Sequence, residues 1–206
     1  MRRKVSSANE IQRDQTNLDH RNRRMFLPQT FGGRVAATCW TAIRTVLFRP
    51  SLPVMNRWRV FLLHLFGAQV AESAVIHPSV LIHFPWNLTI RSEVQIFQKV
   101  IINCMGPVEI GERTRISQYA HLCAGTHEYQ RRDMRIRPCY IKIGHDVWVA
   151  ADAFVGPDVR IGDGTIVGAR AGVFGNLPKK VIAVGEPARA VCRREQDGLL
   201  PLGTQP

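Results

Sequence analysis

The 206-residue chain has no acidic side chain between positions 31 and 66, no Cys-x-x-Cys pair and no apolar run long enough to cross a bilayer. Each absence excludes something. The five cysteines, Cys39, Cys104, Cys123, Cys139 and Cys192, are odd in number and widely spaced, which argues for reduced thiols and against a disulfide framework or a structural zinc. The longest apolar stretch, residues 35–48, is fourteen residues and contains Arg44, short of the ~20 that a spanning helix needs. Residues 6–24 are polar where the apolar core of a secretory signal would stand, so the expected setting is cytoplasmic. Aromatics are 8% and charged residues 21%, but hydrophobic residues reach 45%, a composition that supports a packed core.

Charge of one sign is in excess. Lys and Arg number 28 against 16 Asp and Glu, a formal charge of +12. Such a balance often marks nucleic-acid or anionic-membrane partners, but here it is unevenly placed. Residues 1–66 hold twelve basic and three acidic side chains, whereas residues 67–206 carry only +3. A basic domain wrapped by nucleic acid is therefore disfavoured. The first 30 residues, with +4 and a single aromatic, Phe26, do not have the look of a nucleic-acid arm.

Composition divides the chain into zones. Residues 1–30 read as a flexible basic arm. Residues 31–66 alternate apolar and basic side chains and are interrupted by Pro50 and Pro53, which predicts two short amphipathic helices broken at the prolines. Residues 67–178 hold short β-branched runs punctuated by Gly, Asp and Pro, and residues 179–206 form a C-terminal segment and tail. The third zone carries a six-residue period: Ile143, Val149, Val155, Ile161, Val167 and Val173, with Ile110, Ile116, Leu122; Ile90, Ile96, Ile102; and Val70, Ile76, Ile82 upstream. Gly follows the apolar residue at 111, 144, 156, 162 and 168, and small or β-branched residues (Thr114, Ala120, Thr126, Val147, Ala153, Val159, Thr165, Ala171) stand four places after it.

Six residues per repeat describe one flat side of a three-sided coil. The recurring Ile or Val points inward and stacks on its equivalents at about 4.8 Å per rung. Gly beside it suits a corner that needs unusual φ or close approach, and the small residue fills the corner. After Leu122 the register breaks and resumes only at Ile143, so residues 127–142 are expected to leave the coil as a polar loop, the kind of place where function sits.

Four segments, together with the repeat, resemble the hexapeptide-repeat acyltransferases: Asn56-Arg-Trp-Arg-Val-Phe-Leu-Leu-His-Leu-Phe-Gly-Ala68, Ile116-Ser-Gln-Tyr-Ala-His-Leu-Cys-Ala-Gly-Thr-His127, Ile143-Gly-His-Asp-Val-Trp-Val-Ala-Ala151 and Val184-Gly-Glu-Pro-Ala-Arg189. They are most similar to the colanic-acid-type polysaccharide O-acetyltransferases, relatives of maltose, galactoside and nodulation-factor acetyltransferases. The resemblance covers about residues 50–194. It implies an all-β core, a left-handed parallel β-helix with N-terminal helices and a short C-terminal helix, working as a homotrimer. The implied activity is transfer of acetyl from acetyl-CoA to a sugar hydroxyl in exopolysaccharide assembly, without a metal or nucleic acid.

By the same resemblance His127 is the catalytic histidine. A sugar hydroxyl is a weak nucleophile, and an imidazole of ordinary pKa near 6.5 can take its proton as it attacks a thioester. Glu128 stands beside it as an orienting group, an acceptor-binding group or an ordinary surface carboxylate. Relatives carry an acceptor-holding Asn in the preceding rung; here the aligned position is Phe97 or Gln98, and Asn103 is the nearest Asn. Trp148, the backbone at Ala151 and Ala169, and Arg189 match the acetyl-CoA contacts, while Phe174-Gly175 replaces the usual Thr-Lys. His121 and His127, six apart, are expected on successive faces and so not on one zinc ion, and Cys123 is expected to be an ordinary small residue and no acyl carrier. The basic helices of residues 31–66 either cap the first coil through Trp58, Phe61 and Phe66 or rest on the inner leaflet near a lipid-linked acceptor. The competing readings are a catalytically silent scaffold and an amino-sugar N-acetyltransferase.

Overall fold

The computed structural model describes residues 31–195 and 198–201; the arm expected in residues 1–30 lies outside them. Short parallel strands stack into three faces. The first face carries Gln69–Val70, Leu88–Ile90, Val108–Ile110, Ile141–Ile143 and Val159–Ile161. The second carries Val75–Ile76, Gln95–Ile96, Arg115–Ile116, Trp148–Val149, Ile166–Val167 and Val181–Val184. The third carries Leu81–His83, Ile101–Asn103, His121–Cys123, Phe154–Val155 and Gly172–Val173.

The six-residue period is the register of these stacks. Val70, Ile90, Ile110, Ile143 and Ile161 lie over one another on the first face. Ile76, Ile96, Ile116, Val149, Val167 and Ala183 do so on the second, and Ile82, Ile102, Leu122, Val155 and Val173 on the third. None of these sixteen side chains is more than 6% exposed. A two-residue strand has no face of its own to bury, so the core comes from stacking, at about 1.5–3 kcal/mol for each large aliphatic side chain removed from water.

The corners differ in one respect from the expectation. Backbone with positive φ falls three places after the inward residue, at Glu93, Lys99, Arg113, Tyr119, Asp146, Asp152, Asp158 and Arg170, with Gly164 in the same place. The glycines directly after the inward residue answer to close approach. A Cβ on Gly111 would lie 2.5 Å from the carbonyl of Gly144, and one on Gly162 would lie 2.5 Å from the amide nitrogen of Lys179. The small residues four places on are buried as expected, except Thr126, which belongs to a hairpin stem.

Every insertion leaves by one corner, from the third face to the first. Ile82 to Ile90 and Ile102 to Ile110 each span eight residues where six would close the turn, and Pro85–Asn87 fills the first of these with a 3₁₀ turn. Leu122 to Ile143 spans far more and forms an antiparallel hairpin, Gly125–His127 on Ile136–Pro138. His127 therefore does not sit on the next face after His121; it has left the coil.

Helix α1 (Phe31–Ile43) runs on through a wider π-helical turn (Arg44–Phe48), and α2 (Asn56–Leu65) follows the proline break. The two helices close the open end of the first coil, and they do so face by face. His64 Nε2 donates to Val70 O at 2.7 Å on the first face. Arg59 Nε donates to Ile76 O at 2.8 Å on the second, where Asn56 also donates to Ala74 O and accepts from Ile76 N. Trp40 Nε1 donates to Ile82 O at 2.8 Å on the third. Arg59 is 1% exposed, and its remaining donors reach Ser51 Oγ, Leu52 O and Pro53 O. Of the aromatics expected in the cap, Trp58 and Phe66 pack on the core, and Phe61 is exposed.

The expected short C-terminal helix is not formed by the described residues. Val181–Val184 alternates buried and open positions, a strand period, and Arg189–Glu195 folds back on it antiparallel, followed by Gly198–Pro201. Arg194 Nη1 fastens this arm to the coil through the carbonyls of Asp146 and Gly164.

The outward strand residues of the third face, Leu81, His83, Ile101, Asn103, His121, Cys123, Phe154 and Gly172, include no Lys, Arg, Asp or Glu. Burial holds His83 below the ordinary histidine pKa, helped by the charges of Arg44 and His121, and burial does the same for His121, whose ring meets Phe154 edge-on at 5.4 Å.

Two predictions test this account. Gly111→Ala is expected to cost about 1–3 kcal/mol of stability as the coils are pushed apart, whereas Arg170→Gly, at a corner of positive φ, stays within about 0.5 kcal/mol of wild type; chemical denaturation separates them. Because the unfolded chain binds protons at His83 and His121 more readily than the folded one, stability falls as pH drops through about 6.5. His83→Asn with His121→Asn flattens that fall in a melting series.

Candidate active site

The hairpin that interrupts the repeat brings His127 to the edge between the third and first faces. Its Nδ1 lies 2.6 Å from Met134 O. A carbonyl can only accept, so Nδ1 carries the hydrogen, and Nε2 of the neutral ring is left with its lone pair free. Met134 is at φ +45, in the left-handed region that side-chain-bearing residues enter at a cost, and this bend turns its carbonyl back onto the ring. Sequence reasoning did not single out Met134, because the functional atom is a backbone oxygen and leaves no trace in residue type.

The rest of the hairpin is held by charge. Glu128 N donates to Arg135 O at 2.8 Å, and the Glu128 carboxylate pairs with Arg131 at 3.5 Å. Asp133 accepts from Arg131 and Arg135, which hold its carboxyl below the usual range. At the base, Arg137 reaches Asp158 on the coil at 2.8 Å. These exposed pairs bias the loop's shape and contribute little to global stability.

Asn103 shares this edge. It stacks between His83 and Cys123 at the strand ends where the hairpin departs, and its carbonyl accepts from Ala124 N. Gln98 does not. It lies on the opposite ridge, between the second and third faces, where Tyr119 N donates to Gln98 O, Asp152 N to Gln118 O and Arg170 N to Ala151 O. Ala151 and Ala169 occupy successive rungs of that same ridge, with the Ala169 side chain exposed. Arg189 is exposed where the returning strand begins, paired with Val184.

Trp148 stands out from the second face, 46% exposed, with Nε1 donating to Ser117 Oγ at 2.9 Å. It lines a groove of about 710 Å³ with Gln95, Phe97, Arg115 and Ser117, closed on one side by Arg194. Arg113 spans the far rim in a two-point pair with Asp146, at 2.7 and 2.8 Å. His127 does not line this groove. Within one chain, the third face separates the histidine edge from the ridge of Ala151 and Ala169.

Cys123 is half-buried, its Sγ turned to Gly125 O at 3.5 Å, and Cys139 is pushed up to about 12 by burial, which leaves it an inert thiol. Among the described residues, no group of three or more His, Cys, Asp or Glu side chains is placed to hold a metal ion.

Residues 140–175 match the family model of the bacterial transferase hexapeptide (six repeats). The chain is 40% identical, over 79% of its length and 90% of the relative's, to WcaF of Escherichia coli (strain K12), a protein named as an acetyltransferase of colanic acid biosynthesis. It therefore belongs to the hexapeptide-repeat acetyltransferases, and its fold is their left-handed parallel β-helix. A maltose O-acetyltransferase from Clostridium difficile 630 superposes with TM-score 0.76 at 18% identity, over 83% of this chain and 92% of that one. The acetyltransferase VCA0836 of Vibrio cholerae O1 biovar eltor, solved with acetyl coenzyme A, superposes with TM-score 0.68 at 19% identity, over 84% and 94%. At these identities the structural likeness establishes the fold.

The hydrogen bond to Met134 makes a prediction about the imidazole itself. In nitrogen-15 spectra at neutral to mildly alkaline pH, His127 should show a protonated Nδ1 and an unprotonated Nε2. The reverse tautomer, which free histidine favours, would leave Nδ1 with no hydrogen to give the Met134 carbonyl.

Proposed function

We propose that the chain transfers acetyl from acetyl-CoA to a hydroxyl of a sugar in exopolysaccharide assembly, with His127 as general base. The observation that carries this reading is the hydrogen bond from His127 Nδ1 to Met134 O, which leaves Nε2 of this exposed ring with its lone pair at the root of the large insertion. Nε2 takes the hydroxyl proton as the sugar oxygen attacks the thioester carbonyl. Backbone amides beside the thioester hold the charge that develops on the carbonyl oxygen. The intermediate then expels the CoA thiolate, which recovers the proton from the imidazolium.

The donor site in this reading is the ridge of Ala151 and Ala169, with Trp148 as a wall and Arg189 for the phosphates. Because that ridge and the histidine edge bound opposite sides of the uncharged third face, the reading calls for a homotrimer. Three copies with their third faces turned to a common axis bring the hairpin of one copy against the ridge of the next. Asn103 and Glu128 then belong to the acceptor end. Gln98, on the donor ridge, meets the acceptor only from the neighbouring copy. In this reading the acceptor is carried on lipid at the inner leaflet of the membrane, and the basic, acid-free composition of residues 31–66 supports a site of action there. A hydroxyl acceptor is favoured over an amino sugar by the 28% identity, over 148 residues, to the galactoside O-acetyltransferase of Escherichia coli (strain K12).

The test is calorimetry and turnover on the same preparation. Acetyl-CoA should bind at about one site per chain. His127→Ala should keep that binding while turnover on sugar acceptors falls about 10²- to 10⁴-fold, and Arg189→Ala should weaken CoA binding. A folded protein that does not bind acetyl-CoA would instead be a scaffold.

A further inference from the structure

Half of the large apolar side chains exposed among the described residues, nine of eighteen, fall between Phe31 and Leu65. They are not needed for capping. The inner side of α2 does that work, with Arg59, Val60, Leu62 and Leu63 buried against the first coil. The opposite side carries a short apolar stripe, exposed Phe61 and Leu65 four places apart, with half-buried Trp58 at its margin, and Val54 stands in the turn before the helix. Phe61 is 55%, Leu65 64% and Val54 87% exposed, and the Trp58 and Phe61 rings stack at 5.7 Å. A helix that is apolar on both sides has a second apolar neighbour.

The stripe extends beyond the helix. Trp58 Nε1 donates to Leu47 O, and the Arg59 guanidinium holds the 51–53 turn, so exposed Leu47 and Leu52 lie on the same cap. Arg34, Arg49 and Arg57 of the same two helices and their connection are exposed as well, and no Asp or Glu occurs anywhere in residues 31–66.

We infer that the outer face of this helical cap, centred on Phe61 and Leu65, docks on an anionic lipid bilayer. Exposed apolar and aromatic side chains on a segment whose only charged side chains are arginines fit the boundary between acyl chains and acidic headgroups. Such a face inserts shallowly; among the described residues no helix is long and apolar enough to cross a membrane. The inference deepens the reading of a lipid-carried acceptor and rests on it for its purpose. It gives the coil an orientation, with its capped end on the bilayer and the His127 edge running away from it.

The experiment is co-sedimentation of the full chain with vesicles of phosphatidylcholine alone and of phosphatidylcholine mixed with phosphatidylglycerol, followed by light-scattering mass. Wild type should sediment with the mixed vesicles and little with the neutral ones. Phe61→Ser combined with Leu65→Ser should weaken that binding about tenfold or more, with acetyl-CoA binding and assembly mass unchanged. Binding that survives the double substitution would belong to residues 1–30 and overturn the inference. So would a fall in mass, which would make the stripe a contact between copies, and so would a folded wild type that ignores the mixed vesicles. Loss of acetyl-CoA binding in wild type would count against the catalytic reading alone, since the vesicle result does not depend on it.

Discussion

Everything in this molecule depends on coils that lie in register close enough for backbone to touch backbone. At Gly111 and Gly162 the next coil is so near that even a methyl group would meet its main chain. That spacing lets single Ile and Val side chains, three per turn, form continuous inward columns from strands only two or three residues long. It also imposes a discipline on length. A residue added on a face would rotate every later side chain out of its column, so additions are confined to a corner where the chain can bulge and return. All of them use the corner between the third and first faces. The hairpin bearing His127 is the largest member of a series that begins with the 3₁₀ turn at Pro85–Asn87.

Much of this is legible in the amino-acid order, because a stacked coil repeats one environment. The period of six names the inward residues, the glycines mark the near approaches, and the gap between Leu122 and Ile143 announces the excursion. What escapes has a physical reason in each case. The corner of positive φ is filled by Glu, Lys, Arg, Tyr and Asp, since an exposed side chain without a β-branch tolerates that conformation and leaves no compositional mark. Arg59 reads as surface charge, yet it is buried under α2 with only carbonyl and hydroxyl acceptors around it, and burial lowers its pKa. The strand at Arg189–Glu195 resembles a basic tail until it is seen paired on Val181–Val184.

The candidate site is legible to a similar degree. His127 and Trp148 stand out by their positions beside the break in the repeat, and both are accessible. Their separation by a whole face is a matter of which corner each residue reaches, and that emerges only once the coils are stacked. The same stacking divides the acceptor candidates, with Asn103 and Glu128 on the histidine edge and Gln98 on the other. The carbonyl of Met134 completes the histidine's geometry and has no counterpart in residue identity at all.

The four side chains that close the first coil have a meaning beyond fold stability. A parallel coil ends in a row of open carbonyls and amides, which is also what the growing tip of a fibril offers to the next strand. His64, Arg59, Asn56 and Trp40 occupy that row at one end, one face at a time, and the returning C-terminal strand covers the second face at the other. The protein is in this sense a short length of fibre with stoppers at its ends. Loosening a stopper would cost more than the few contacts it makes, because it would hand the exposed rung to a neighbouring molecule and turn a countable particle into an uncountable one.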